Sequence, residues 1–268
     1  MNEQMAHYDL VVIGVGPGGY TAGFRAADLG LRVAIIEKTP LLGGTCLHVG
    51  CIPSKTLLHA IAVKDEVASY LGKGLVGEVP QIDVDRLRER KEGVVSKLAK
   101  GLGNLAKQRR VKIYQGQGHF ESDHVIAIKT SQASISIGFD SALIATGSSV
   151  MSIPGFPDDS RIMDSTEALA LEGVPEHMVI VGGGIIGLEM AMVYHGLGSA
   201  ITLVEMQSVM LPFLDRDIYR PLERRLKRLC KKMFTGARVE SVCCGEEQLE
   251  LVINQDGKMT DLSADRVL

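Results

Sequence analysis

Short runs of consecutive apolar residues recur along the chain, each broken by glycine or charge. Leu10-Val11-Val12-Ile13 passes straight into Gly14-Val15-Gly16-Pro17-Gly18-Gly19. A continuous run predicts a parallel strand buried on both faces, because a half-exposed strand alternates. The Ala-rich stretch Tyr20 to Leu29 predicts a helix closed by Gly30. Arg32 to Ile36, ending on Glu37, predicts a second strand, so the segment reads as a βαβ unit. The pattern then repeats. Met178 to Val181 is a strand, Gly182-Gly183-Gly184-Ile185-Ile186-Gly187 a turn and Leu188 to Leu197 a helix. Ala200 to Val204 is a strand ending on Glu205.

The stretches around these units are less regular. Thr39 to Gly50 predicts a loop, and Ser54 to about Leu71 a helix. Asp83 to Lys107 predicts a long surface helix, with Leu87, Val94, Val95, Leu98, Leu102 and Leu105 near helical spacing. Alternation in Val111 to Tyr114, Val125 to Ile128 and Ile135 to Ile137 predicts an antiparallel meander. Ala142 to Ala145 returns to the buried-strand pattern and ends in Thr146-Gly147. Ile153 to Pro157 has the composition of a linker. It divides a domain at 1–150 from one at 151–268. Asp217 to Lys231 predicts a basic amphipathic helix whose charges read as a solvated face, with short strands after it. Ala264 to Leu268 reads as the start of another buried strand, so the expectation is a chain that stops inside its second domain.

Composition narrows the class. At about 150 residues per domain, 268 residues give about two domains. Hydrophobic residues at 46% and charged residues at 23% are those of a soluble globular protein, and a net charge of −3 argues against a wholesale nucleic-acid binder. Thirty glycines, six Phe, six Tyr and no Trp describe a backbone that turns often and packs with aliphatic side chains, as α/β proteins do. The first apolar run is too short for a leader or a membrane span, which makes a cytoplasmic, membrane-free protein the expectation.

The glycine spacing carries chemistry. In the first unit Gly14 permits a tight turn, Gly16 lets backbone approach a pyrophosphate, and Gly19 lets helix and strand pack closely. The helix N-terminus offers N–H groups and a positive dipole to phosphate, and Glu37 can accept from ribose hydroxyls. Gly182, Gly184, Gly187 and Glu205 repeat the set. A lone GxGxxG is weak evidence. Here each copy follows a strand, opens a helix and is completed by an acid at the next strand end. Two copies imply two dinucleotides, most simply a flavin and a nicotinamide. Glu205 suits a free 2′-hydroxyl and repels a 2′-phosphate, and Met206 and Gln207 supply no arginine, which predicts NAD over NADP.

Gly43-Gly44-Thr45-Cys46-Leu47-His48-Val49-Gly50-Cys51-Ile52-Pro53-Ser54-Lys55 holds two of five cysteines. Cys46 and Cys51 stand at the start of a helix, where a loosened first turn can close a disulfide and the helix dipole favours thiolate. A structural disulfide, a zinc half-site and two inert thiols are the alternatives. A reducing compartment argues against the first, and the lack of a second ligand pair against the second. No metal site is expected. Cys230 reads as packing, and Cys243-Cys244 carries no role.

These stretches, with Ala145-Thr146-Gly147-Ser148, Gly182–Glu189 and Leu203-Val204-Glu205, resemble the flavin-dependent pyridine nucleotide–disulfide oxidoreductases. The closest resemblance is to the branch that oxidises protein-bound dihydrolipoamide; His48 stands where that branch commonly has Asn. The resemblance implies two Rossmann-like α/β domains for FAD and NAD, an antiparallel meander, and a dimerisation domain not found in this chain. It implies that Cys46 exchanges with the lipoyl sulfur, that Cys51 faces the flavin as thiolate, and that Lys55 lies near flavin N5 paired with Glu189. The flavin site would draw on Gly14, Gly16, Gly19, Glu37, Lys38, Gly44, Thr45, Cys46, Lys55, Gly118, Thr146 and Gly147. The NAD site would draw on Gly182, Gly184, Gly187, Glu205 and Val239. Implied partners are a second subunit and the lipoyl domain of the acyltransferase in a 2-oxo acid dehydrogenase complex. The branch's acid–base His–Glu pair is not among His7, His48, His59, His119, His124, His177 and His195. A non-catalytic cofactor-binding fragment, or a reductase of the glutathione or mercuric type, stands as the alternative.

Overall fold

The computed structural model describes residues 5–71, 73–151 and 153–268. In chain order the elements begin β1 (His7–Ile13), α1 (Pro17–Asp28), β2 (Val33–Glu37), α2 (Gly44–Val49), α3 (Cys51–Leu71) and α4 (Val84–Gln108). Next come β3 (Lys112–Gln115), β4 (Gln117–Ser122), β5 (Val125–Lys129), β6 (Ser134–Ile144) and α5 (Ser165–Ala170). The chain continues through β7 (His177–Val181), α6 (Ile185–Leu197), β8 (Ala200–Glu205), α7 (Arg216–Leu229) and β9 (Lys232–Thr235). It closes with β10 (Ala237–Cys244), β11 (Leu249–Gln255), β12 (Lys258–Ala264) and β13 (Arg266–Val267).

The contacts divide the chain into two units. One takes Met1–Pro53 and Glu92–Ser149, the other Ser54–Lys91 and Val150–Leu268. The first is built on a six-stranded sheet in the order β3-β2-β1-β6-β5-β4. Neighbouring residues of its central strands feed opposite faces. Val12 and Ile35 join Phe24 of α1 on one side, while Val11, Ala34 and Ile36 meet Ile126, Ile128 and Ile137 on the other. The second unit has a parallel sheet, β13-β7-β8-β9, and a separate antiparallel sheet, β10-β11-β12. Met178 and Ile180 of β7 pack with Leu188 and Met190 of α6, while Val179 packs with Leu251 and Ile253 of β11. The two buried runs, Val11-Val12 and Met178 to Ile180, are therefore doubly covered strands, as their unbroken apolarity predicts.

Five expectations need correction. Val111 to Tyr114 is not part of the meander: β3 pairs parallel with β2, Ala34 opposite Lys112. Its alternation arises because it is an edge strand with exposed residues at both ends. Ile135 to Ile137 and Ala142 to Ala145 are not two strands. β6 is continuous, pairing antiparallel with β5 through Gly138 and parallel with β1 as far as Ile144. The polar Asp140 within it faces solvent and receives a bond from His7 Nε2 at 2.8 Å. The Thr39 to Gly50 loop contains helix α2, and Gly116 to Gly118, which the glycines suggest as a loop, gives way to β4 from Gln117. Finally, α4 is not wholly a surface helix, since Leu87, Lys91 and Ala106 are buried.

Gly44–Leu71 has the length and hydropathy, 1.3 on average, of a segment able to cross a membrane. Its apolarity has a local use, because Leu57 and Ile61 are buried in the second unit.

Candidate active site

Sterics fix the first fingerprint. Gly14 has φ +100°, and a Cβ there would strike the Ala145 carbonyl oxygen. A Cβ at Gly19 would land on the Gly14 carbonyl. Only glycine permits β1, α1 and the end of β6 to approach this closely. Thr146 and Gly147, just past β6, lie beside this turn, with the Thr146 Cα 3.2 Å from a Cβ built on Gly14. Helix α1 begins after Gly16 with no side-chain cap and no acid in its first turn, so its N–H groups are left for a ligand. Glu37 bridges the turn to the following loop. Its Oε2 accepts from Val15 N–H at 3.0 Å, and its Oε1 from Thr39 N–H at 2.9 Å and Thr39 Oγ1 at 3.0 Å. Lys38 beside it is exposed.

The second fingerprint repeats this design. Gly182 has φ +114°, a Cβ on Gly187 would strike the Gly182 carbonyl, and α6 starts uncapped after Gly184. Glu205 Oε2 accepts from Gly183 N–H and Oε1 from Gln207 N–H, both at 2.6 Å. A carboxylate has about four lone-pair positions, so both glutamates keep capacity for ribose hydroxyls. Beside this turn opens a cleft of ≈ 910 Å³, lined by Gly182, Gly184, Ile186, Ile153, Phe213 and Asp164 among others. The sequence reading missed Asp164 and Phe213. Asp164 leaves one signal, a capping box with Glu167 at the start of α5.

Cys46 and Cys51 form a disulfide joining α2 to α3 across Gly50. Gly44 seats α2 against the first fingerprint: a Cβ on it would lie 2.6 Å from the Gly16 Cα. Thr45 is exposed beside it. Cys46 is half-buried and Cys51 exposed. Four residues beyond Cys51 on α3, Lys55 Nζ donates to Glu189 Oε1 at 2.6 Å. The two side chains differ in exposure, 61% for Lys55 and 14% for Glu189.

Gly118 lies beside Ile36, next to Glu37, and Val239 packs on the cluster that includes Val204, next to Glu205. Gly118 pairs with Ile128 on β4, and a Cβ there would sit 3.4 Å from the Ile36 side chain. Val239 packs with the buried cluster around Leu251 and Ile253, next to an irregularity in β10. Cys230 is half-buried, and burial pushes its thiol up to about 11. Among the described residues no group of three or more His, Cys, Asp or Glu side chains could hold a metal ion.

The model of the pyridine nucleotide-disulphide oxidoreductases matches residues 8–268. The chain belongs to that family. Membership implies binding of FAD and NAD(P). The chain is similar to dihydrolipoyl dehydrogenase of Vibrio parahaemolyticus serotype O3:K6, at 42% identity over 258 residues, covering 96% of this chain and 54% of that protein. Dihydrolipoyl dehydrogenase 1, mitochondrial, of Arabidopsis thaliana is 37% identical over 265 residues, covering 97% and 52%. Among solved structures, the HOCl-induced flavoprotein disulfide reductase RclA from Escherichia coli matches with TM-score 0.79 and 30% identity, covering 97% of this chain and 55% of that one. The chain thus spans about half the length of the curated relatives it matches.

Proposed function

We propose that this chain carries the redox cysteines and the two nucleotide sites of a dihydrolipoyl dehydrogenase, which oxidises protein-bound dihydrolipoamide and reduces NAD. The observation that carries the reading is the Cys46–Cys51 disulfide at the α2–α3 junction, next to the first fingerprint. The identity to dihydrolipoyl dehydrogenases supports this choice of substrate over glutathione or mercuric ion.

The residues present fit both cofactors. Gly14, Gly16, Gly19 and the uncapped start of α1 would hold the FAD pyrophosphate, with Glu37 at its ribose and Thr146-Gly147 beside it. Gly182, Gly184, Gly187 and Glu205 would hold NAD in the same way. No arginine follows Glu205 to receive a 2′-phosphate, which supports NAD over NADP. Bound FAD supplies an acceptor for the electron pair of the reduced cysteines, and bound NAD the acceptor after it.

The chain's own steps are thiol–disulfide exchange. A substrate thiolate attacks Cys46 Sγ, the bond to Cys51 breaks, and Cys51 leaves as thiolate. The second substrate thiol, once deprotonated, attacks the sulfur now joined to Cys46. Lipoamide departs oxidised, and Cys46 and Cys51 hold the electron pair. The exposed Cys51 offers the face that the flavin-side sulfur needs. Lys55, steadied by Glu189, supplies a cation that favours negative charge on reduced flavin. The natural partners on this reading are the lipoyl domain of a 2-oxo acid dehydrogenase complex and a second subunit, in the cytoplasm.

The test is to supply the chain with FAD, add dihydrolipoamide, and trap free thiols by alkylation. Reduction of the Cys46–Cys51 pair, lost in Cys46→Ser, is the expected result. A disulfide indifferent to dihydrolipoamide, in a chain that retains no flavin, overturns the reading.

A further inference from the structure

One side chain within the disulfide ring is not used by the steps above. His48 is half-buried on α2, between the two cysteines. Its Nε2 lies 2.8 Å from the Leu42 carbonyl oxygen. A carbonyl only accepts, so Nε2 carries the proton and donates. That bond survives whether or not Nδ1 is protonated.

Leu42 is itself anchored. Its side chain packs on the cluster of Val12, Val15 and Phe24. The Thr39 hydroxyl shares its one proton between Glu37 Oε1 at 3.0 Å and the Leu41 carbonyl just before Leu42 at 3.3 Å, Thr39 N–H also donates to Glu37, and the other Glu37 oxygen holds Val15 N–H. Hydrogen bonds thus lead from the first fingerprint along the loop to Leu41, and His48 fastens the disulfide ring to the next residue, Leu42. Helix α2 has only six residues and no side-chain cap, and helices so short are marginal alone.

We propose that His48 is a positioning residue. It clamps the Cys46–Cys51 ring to the Leu42 carbonyl and so aims the disulfide for attack, acting through its N–H rather than as an acid or base. The inference rests on the redox reading of the cysteine pair. Exchange demands that the attacking sulfur approach along the S–S axis, and small misplacements of reacting atoms are costly.

The experiment measures the rate at which dithiothreitol reduces the disulfide in the whole chain, across the histidine titration range. His48→Gln, whose amide can still donate, and His48→Leu, which cannot, are compared with the wild type. The clamp predicts a rate about tenfold lower for His48→Leu. It predicts a rate within about threefold of wild type for His48→Gln, with an unchanged pH profile. His48→Leu at the wild-type rate overturns the inference. So does a wild-type profile with a histidine limb that His48→Gln abolishes, which marks a base; that comparison holds even if His48→Leu fails to fold. A reducible wild type with either result defeats this inference alone, whereas a wild-type disulfide that resists dithiothreitol defeats the redox reading beneath it as well.

Discussion

At Gly187 there is no room for a side chain, because a Cβ would meet the Gly182 carbonyl. Gly187→Ala must push α6 off β7, and overpacking of this kind costs about 1–3 kcal/mol. The expected outcome is a lower urea midpoint together with lost NAD binding by calorimetry. Alanine at the open Gly173, where a Cβ meets nothing within 4 Å, is the control. His177 gives a second residue-scale prediction. Its Nε2 lies 2.9 Å from the buried Thr202 hydroxyl, and burial holds its imidazole below the ordinary value. The unfolded chain therefore takes up the proton more readily. Stability from this site is full above about pH 6.5 and is lost as pH falls through that value toward the folded one. Urea unfolding at about pH 7.5 and 5.5 should show a smaller loss in His177→Gln than in wild type; equal losses exclude this source. Fingerprint residues are readable from sequence because sterics permit one residue type at fixed spacings. The His48–Leu42 contact is not readable, since it depends on how a six-residue helix folds back on its own loop.

At the scale of elements, α4 shows where periodicity fails. Its charged residues read as solvated, yet Lys91 is 6% exposed and its Nζ reaches the Leu169 and Ala170 carbonyls at 2.8 and 3.1 Å. Arg88, three residues earlier, donates to the Leu171 carbonyl from Nε and Nη2. Together they satisfy the carbonyls at the end of α5, which turns off through Leu171 at φ +60°. A hydropathy pattern treats lysine as an outward residue and has no means of seeing a helix end waiting for it. Lys91→Met keeps most of the volume and removes the donor, so it should cost about 1–3 kcal/mol in chemical unfolding. A neutral result would show that the α5 carbonyls find other partners. Strand β3 reads as a meander strand for a related reason: alternation reports which face is covered, and an edge strand of a parallel sheet is covered like a meander strand. Strand β6 reads as two because the polar Asp140 and Ser141 interrupt its apolar pattern.

For the whole molecule, both βαβ units and the two carboxylates at their strand ends are legible, because each rests on local rules. The three-stranded sheet β10-β11-β12 showed only as short strands, its pairing being set by contacts outside any one segment. The cleft beside the second fingerprint was likewise invisible beforehand. Its rim exposes Met151 at 87% and Phe213 at 69%, with Ile185 and Ile186 alongside. Contiguous apolar surface of this kind drives association. The chain by itself should therefore show concentration-dependent self-association in light scattering, reduced by Phe213→Ser. Monodisperse behaviour of both proteins at high concentration would count against that role for the cleft.

The continuity of β6 bears on how the first unit comes into being. Its first half pairs with β5 across a tight connection, which closes early and at little entropic cost. Its partner on the other side, β1, stands at the far end of the unit in sequence; His7 and Asp140, bonded side by side, are 133 residues apart. Between them the chain leaves for the other unit over Ser54–Lys91 and returns. The hairpin of β5 and β6 thus forms a waiting template. Pairings of such sequence separation slow folding in general, and the turn that would receive the flavin pyrophosphate is built only where the end of β6 lies against β1.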